Sequence, residues 1–379
     1  MSEARAWVEV DLGAVAHNIG VLRRVAAPAA VLAVVKADGY GHGSAPVAAA
    51  ALDAGAAGLG VAIPAEGVEL RDAGIDARTL VLSEPRPSEF AECVAFGLEP
   101  AVYTPAGIAA AARAADDHGR RLTVHLKVDT GMHRVGAAPS TIPELAAAIT
   151  TEPALALGSI WTHCAVADEP DDPFTGQQVA RYEEVLASAG VDVPLRHAAN
   201  SAGALCHPGA RFDLVRCGIA TYGIAPDPGI AGRPGVADLR PALSWRATVS
   251  LVKPVVAGDR ISYGLRHTFE RDTIVATVPV GYADGVPRRL HALGGAVLIG
   301  GRRRPIVGVV TMDQLMVDCG PVDGRTGVDG PVPAVGDEVV VLGEQGGERV
   351  TADEWAERLG TIAYEIVCGI GGRVPRRYV

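Results

Sequence analysis

Between Val31 and Gly218 the chain places short, almost wholly apolar runs at intervals of a few tens of residues: VLAVVK from Val31, AGLGVA from Ala57, TLVLS from Thr79, EPAVY from Glu99, LTVHLKV from Leu122, LGSIWTH from Leu157, PLRHAAN from Pro194 and DLVRCG from Asp213. Runs that are apolar on both faces mark parallel strands covered on each side. Most are separated by segments of helical period, such as PAGIAAAARAADDHG, with proline at its first turn and glycine at its end. The last link, 201–212, is too short for a full helix. Ahead of the first run, Leu12, Val15, Ile19 and Leu22 fall on one helical face behind Asp11 as cap. Eight βα-type repeats predict an N-terminal (β/α)8 barrel in an α/β protein, with a doubly wound open sheet as the other architecture.

After about residue 235 the pattern changes. PALSWRATVSLVKPVV and DTIVATVPVGYADG have alternating or β-branched strand character, and AVLIGG, RPIVGVVTMDQLMVD and GDEVVVLG follow with Gly and Pro between them. Helix returns at TADEWAERLG, where Thr351 and Glu354 read as a capping box. The expected division is a barrel over 1–235 and a smaller, mainly β domain over 236–379. PDPGIAGRPG is the linker, and the extreme N-terminal strand is a candidate to join the second domain.

Composition narrows the function classes. A chain of 379 residues with net charge −10 has no broad basic surface for nucleic acid or an anionic membrane. No segment reads as a signal peptide or a spanning helix, so the expected compartment is the cytoplasm. The six cysteines, at 93, 164, 206, 217, 319 and 368, form no CxxC pair and read as buried thiols, and the ten histidines lack metal-site spacing, so no metal is expected. The lysine count is more telling. Of 34 basic residues only Lys36, Lys127 and Lys253 are lysines. Arginine stays protonated, whereas lysine can lose its proton and attack a carbonyl, so a retained lysine is a candidate for chemistry. A charged strand cap is the other reading of Lys36.

On a barrel, reactive groups lie at the carboxyl ends of strands and phosphate is often held by the loops after strands seven and eight. That template sets Lys36 at the end of the first strand, His163 at the sixth and Arg216 at the eighth. Asn200, Ser201 and Gly203 follow the seventh strand; Gly218 and Ile219 follow the eighth. A hydroxyl and backbone N–H groups beside small residues suit a phosphate. The phosphate carrier that also needs a lysine is pyridoxal 5′-phosphate, held as a Schiff base, with its ring nitrogen meeting a partner chosen by the protein. An arginine partner, Arg216, leaves that nitrogen an acceptor and suits removal and return of a proton at Cα. A structural salt bridge is the alternative for Arg216. His197 reads as a histidine filling the barrel, and Met312 taken alone reads as core.

Several stretches then match a known pattern. AVVKADGYGHG, KVDTGMHRVG, THCAVAD, ANSAGAL and LVRCGIATYG in the first part, and SYG at 262–264, VGYADG at 280–285 and TMDQLMVD at 311–318 in the second, occur in order. Together they resemble the pyridoxal phosphate-dependent alanine racemases along essentially the full chain. The resemblance implies interconversion of L- and D-alanine, supplying D-alanine for peptidoglycan, by a head-to-tail homodimer. Lys36 would carry the cofactor and act as one base, with Tyr263 as the base on the opposite face. His163 would link Tyr263 to Arg216, because a phenol, with a pKa of about 10, is a poor base unaided. Arg134 and the backbone of Met312 would hold the substrate. Tyr40, Ser201, Gly218, Ile219 and Tyr364 would hold the phosphate, and Tyr282 and Asp313 would line the entrance. Lys127 stands where the family can carry a carbamylated lysine; an unmodified strand lysine is the alternative. Thr311, Cys217 and the ending CGIGGRVPRRY depart from the usual pattern and bear on inhibitor response and substrate breadth. The competing functions are a racemase of serine or another small amino acid, a decarboxylase of the same plan, and a non-catalytic carrier of the cofactor.

Overall fold

The computed structural model describes residues 4–321 and 332–379. The chain divides into two compact units, Leu12–Pro241 and Met1–Asp11 with Ala242–Val379. Strand β1 (Ala6–Val10) therefore belongs with the C-terminal residues, and the helix that follows it, α1 (Leu12–Ala26), belongs to the other unit.

The Leu12–Pro241 unit is built on eight parallel strands, β2 (Ala30–Val34), β3 (Gly58–Val61), β4 (Thr79–Val81), β5 (Glu99–Val102), β6 (Leu122–Lys127), β7 (Leu155–Trp161), β8 (Arg196–His197) and β9 (Leu214–Cys217). From β2 to β8 each strand pairs with the next in sequence, and β9 pairs with β2. The remaining seam, between β8 and β9, is bridged by Asp213 N–H donating to Arg196 O and Arg216 N–H donating to Ala199 O, each at 3.0 Å. The ring is thus a nearly closed barrel rather than an open sheet. Strands such as β3, β4 and β9 are buried at every position, as the unbroken apolar runs require.

Helices cover the outside. Ser44–Asp53, Pro64–Asp72, Phe90–Ala95, Pro105–Asp117, Ile142–Thr151, Phe174–Ser188 and the short Ser201–Cys206 follow successive strands. The helix at 105–117 starts on a Thr104 side chain that accepts from Gly107 N–H, with Pro105 in its first turn. No α-helix directly follows β9 before the unit ends; α1 packs against both 44–53 and 201–206 and fills the eighth place in the ring. Its buried face carries Val15, Ile19 and Leu22 as the sequence period predicts, and also Asn18. Asn18 donates Nδ2 to Thr221 O (3.1 Å) and Arg240 O (2.9 Å) and accepts from Arg240 N–H (2.8 Å), fixing the segment by which the chain leaves the barrel.

The other unit is a mainly antiparallel sheet. Its strands are β10 (Leu243–Thr248), β11 (Leu251–Val255), the hairpin pair β12 (Arg260–Ile261) and β13 (His267–Thr268), β14 (Thr273–Val278), β15 (Ala296–Ile299), β16 (Arg302–Val307), β17 (Leu315–Pro321), β18 (Glu338–Gln345), β19 (Glu348–Val350) and β20 (Arg376–Tyr378). The order is β11-β14-β17-β16-β15-β18-β10-β1-β20, with β12 and β13 apart. β1 and β10 alternate buried and half-buried positions, so Val8, Val10, Trp245 and Ala247 face one core. Trp355, on the helix Ala352–Leu359, meets Trp245 edge to face at 6.2 Å. At that helix's start Thr351 accepts from Glu354 N–H (3.0 Å), but the Glu354 carboxylate goes to Arg303 and Arg358, so only half of the expected capping box forms.

None of the six cysteines is joined in a disulfide. Cys93, Cys164, Cys217 and Cys319 are buried as expected, whereas Cys206 is half-buried and Cys368, ending a short helix, is exposed. Among the described residues no helix is long and apolar enough to cross a membrane.

Candidate active site

Lys36 lies two residues beyond the end of β2, at the barrel's carboxyl rim. The backbone then does something the sequence does not announce: Ala37, Asp38, Gly39 and Tyr40 all have φ between 50° and 60°. Four consecutive left-handed residues form one turn of left-handed helix, held by Gly39 N–H to Val35 O (2.9 Å) and Gly41 N–H to Ala37 O (3.0 Å). Two carboxylates brace it, Glu66 accepting from Ala37 N–H (2.7 Å) and Asp38 from Ser44 N–H (2.9 Å). Such a turn is costly for L-residues and persists where surroundings over-determine it, often at functional sites. Its effect is to turn Tyr40 inward, where it is buried with its ring 5.0 Å from that of Tyr222. A Cβ at position 218 would run into the Tyr40 hydroxyl, so only glycine admits that approach. Beside it Ser201 Oγ accepts from Gly218 N–H (2.9 Å) and Ala220 N–H (3.3 Å). Ile219 opens the turn between them.

Arg216 on β9 is 3% exposed. Its Nη1 donates to His197 Nδ1 (2.7 Å), and the two hydrogens of its Nη2 are shared among Thr162 O (2.8 Å), Ala198 O (2.8 Å) and His163 Nδ1 (3.0 Å). None of these partners is a carboxylate, and no described residue takes its Nε–H. His197, assigned above to filling the barrel, is thus a direct partner of Arg216, stacked at 5.4 Å on Trp161. Lys127 Nζ lies 4.3 Å and the Arg216 guanidinium 4.6 Å from the centre of that same indole.

The charges converge. Burial, reinforced by Arg216, Arg134 and Lys36, lowers the Lys127 ammonium to about 7. Burial and then Arg216, Lys127, Arg134 and Lys36 hold His163 well below the usual imidazole value, and burial with Arg216 does the same to His197. Burial brings Arg216 itself down to about 10, which leaves it charged at neutral pH. Asp129 is the one carboxylate that acts on Lys127 in the opposite sense, and it is occupied by Gly131 N–H (2.9 Å) and His133 N–H (3.1 Å) in the loop that carries Arg134. Gln178, which the sequence did not single out, ties the rim together: it donates to Thr130 Oγ1 (3.2 Å) and His163 O (3.1 Å) and accepts from Ala165 N–H.

These features fit pyridoxal 5′-phosphate. An amine stands at a strand end, a hydroxyl and small residues line a loop, and a fixed cation has one N–H edge left for an acceptor nitrogen. Lys253, by contrast, is exposed on β11.

The remaining candidates lie in the other unit. Tyr263 is 71% exposed, at the tip of the β12–β13 hairpin. The tip is strained, with Ser262, Gly264 and Leu265 all at positive φ, and is pinned by Ser262 Oγ donating to Val309 O at 2.6 Å. Tyr282 and Met312 share a second loop pair, where Tyr282 N–H donates to Thr311 O and Ala283 N–H to Met312 O, each at 3.0 Å. Met312 is exposed there, not in a core, with its carbonyl committed to the 281–285 turn. Asp313 pairs with Arg373 (2.9 Å), which also reaches the buried Asp284. Tyr364 is half-buried on the helix Ala363–Cys368.

The family model described as the alanine racemase N-terminal domain matches residues 10–226, and that of the C-terminal domain matches 242–378. The chain belongs to the alanine racemase family. An alanine racemase of Symbiobacterium thermophilum is 49% identical over 379 residues, covering 98% of this chain and 96% of that one. One from Mycolicibacterium smegmatis is 42% identical over 384 residues, covering 99% and 95%. The crystal structure of alanine racemase from the D-cycloserine producer Streptomyces lavendulae superposes with a TM-score of 0.93 at 41% identity, over 100% of this chain and 98% of that one. Members of the alanine racemase family are pyridoxal phosphate-dependent isomerases, in keeping with the fit of the barrel rim.

Proposed function

We propose that this chain interconverts L- and D-alanine, with pyridoxal 5′-phosphate held by Lys36 and two bases serving opposite faces of Cα. The observation that carries the reading is the gathering of Lys36, Lys127, Arg134 and Arg216 about a neutral His163, with Arg216 offering an unused Nε–H. When bound, the cofactor supplies an aldehyde for the amine and a conjugated ring that draws electrons from Cα. Arg216 presents a cation that cannot hand over its proton at neutral pH, which leaves the ring nitrogen an acceptor. A ring so partnered would draw electrons from Cα less strongly than a protonated one, which would suit proton exchange better than amino-group transfer.

Lys36 Nζ serves one face of Cα and Tyr263 Oη the other. His163 takes Arg216 Nη2–H at Nδ1, so its Nε2 carries the proton and can donate to a phenolate oxygen. That donation is what lets a phenol act as a base. Arg134, with the Met312 backbone, orients the substrate carboxylate. Tyr40, Ser201, Gly218, Ile219 and Tyr364 hold the phosphate, and Tyr282 and Asp313 line the entrance. A base on the face opposite Lys36 cannot come from Lys36's own strand, and the high exposure of Tyr263 supports its service to a neighbour in a head-to-tail homodimer. Free thiols support a reducing, cytoplasmic setting, where D-alanine feeds peptidoglycan.

Chiral chromatography of alanine after incubation with cofactor-loaded protein tests the reading. Conversion from either enantiomer toward an equal mixture, faster than for serine or basic amino acids, is expected; no conversion overturns it. Borohydride reduction followed by peptide mapping should find the cofactor adduct on Lys36 and not on Lys127 or Lys253.

A further inference from the structure

Arg216 is a buried cation whose hydrogen-bond partners are all neutral, yet one of them leads to a distant carboxylate. His197 Nε2 meets Ser159 Oγ at 2.9 Å, Ser159 Oγ meets His125 Nδ1 at 2.7 Å, and His125 Nε2 meets Glu99 Oε2 at 2.8 Å. Arg78 Nε closes the line on the same Glu99 oxygen at 2.8 Å. The five residues from Glu99 to Arg216 lie on β5, β6, β7, β8 and β9 in turn, so the line climbs from the first residue of β5 to the rim that carries the candidate site. His125, Ser159 and His197 are 1% exposed or less.

Elementary donor and acceptor chemistry fixes its direction. A guanidinium only donates, so His197 Nδ1 accepts and a neutral ring carries its proton on Nε2. Ser159 Oγ accepts that proton, and its own hydroxyl hydrogen must go to His125 Nδ1. His125 then carries its proton on Nε2 and donates to Glu99, whose ionised carboxylate can only accept. Both electrostatic tendencies agree with this state. Burial outweighs Glu99 in holding His125 below its usual value. For Glu99, burial pushes upward, but the hydrogen bonds and charges of His125 and Arg78 prevail and keep the carboxyl low. Reversal of the line would turn His197 Nδ1–H against Arg216 Nη1–H, donor to donor. Chains of aligned hydrogen bonds also polarise one another, which strengthens the last bond to the guanidinium.

We propose that Glu99 is a positioning residue for Arg216: through His125, Ser159 and His197 it imposes one direction of donation and so locks the guanidinium with its Nε–H edge toward the ligand. This rests on the reading of Arg216 as the ring-nitrogen partner. It also explains why a glutamate and a serine, ordinary on a strand, are placed inside a barrel at these two positions.

In the holoenzyme labelled with 15N-histidine, and assigned with His125→Gln and His197→Gln, long-range 1H–15N spectra are expected to show both rings neutral, protonated at Nε2, from about pH 6 to 9. Glu99→Gln, whose amide can donate as well as accept, should bring a second tautomer to His197 and lower kcat about tenfold with KM for alanine within about twofold. Ser159→Ala should disturb both rings, and Ser159→Thr should restore the wild-type signals. A wild-type His197 protonated at Nδ1 or at both nitrogens overturns the proposal, and so does a Glu99→Gln spectrum with His197 unchanged. Borohydride trapping on Lys36 reports separately on the cofactor site, so its loss counts against that reading and leaves the tautomers to decide the relay.

Discussion

Lys127 is buried over the face of Trp161 with three cations acting on it, and its ammonium is brought down to about 7 from 10.5. Between those two values the unfolded chain holds a proton that the folded chain has released. Stability therefore rises with pH across that window and is penalised as pH falls to 7 and below. In buffer purged of carbon dioxide, denaturant titrations should show the wild type gaining on Lys127→Met by up to about 1.4 kcal/mol per pH unit between 7 and 10. A parallel pH dependence in the two proteins would contradict the burial. The same neutral amine is a nucleophile for carbon dioxide: nitrogen attacks carbon, one N–H proton leaves, and the product is an anion set among cations. With 13C-bicarbonate, a carbamate carbon signal is expected in the wild type and absent from Lys127→Met; equal signals in both would assign it elsewhere.

The left-handed turn after β2 makes its own prediction at the scale of an element. Ala37 bears a penalty of about 1–2 kcal/mol for its backbone conformation, and glycine relieves it while losing about 0.5–1 kcal/mol through the freer unfolded chain. Ala37→Gly should then be neutral or stabilising by up to about 1.5 kcal/mol. Gly39→Ala should lose at least about 1 kcal/mol, because its Cβ would stand 3.2 Å from Ser44 N at a φ of +60°. Urea midpoints decide, and a clear loss of stability in Ala37→Gly would mean the turn is unstrained. This turn also marks where reading the sequence stops. The barrel strands were legible because burial on both faces writes an unbroken apolar run, and Lys36, His163 and Arg216 were legible because each ends such a run. Nothing in Ala37 or Asp38 signals positive φ; only the glycines nearby do. Glu99, His125 and Ser159 each look like ordinary strand residues, since their connection exists only across the register of neighbouring strands. Gln178 lies on an outer helix, and no local pattern points it at the rim.

At the scale of the whole molecule, the exit from the barrel depends on a few backbone contacts. Asn18→Ala would leave Thr221 O, Arg240 O and Arg240 N–H without their partner, at a cost of about 3 kcal/mol measurable by chemical denaturation. A loss below about 1 kcal/mol would show that water replaces the amide there. The proposed shared site has a genetic test. Lys36→Ala and Tyr263→Ala proteins should each be nearly inactive, yet refolded together in equal amounts they should recover roughly a quarter of wild-type activity, since half the dimers carry one intact site. Heterodimers that form without recovered activity would place both bases in one chain. The order of the chain has a further consequence for its birth. β1 leaves the ribosome before the barrel, while β10 and β20, between which it is paired, are made after it. At roughly 5–20 residues per second, β1 waits for its partners for on the order of tens of seconds. During that wait both edges of the strand lack the partners they have in the folded chain, the state in which a strand is open to pairing with another chain.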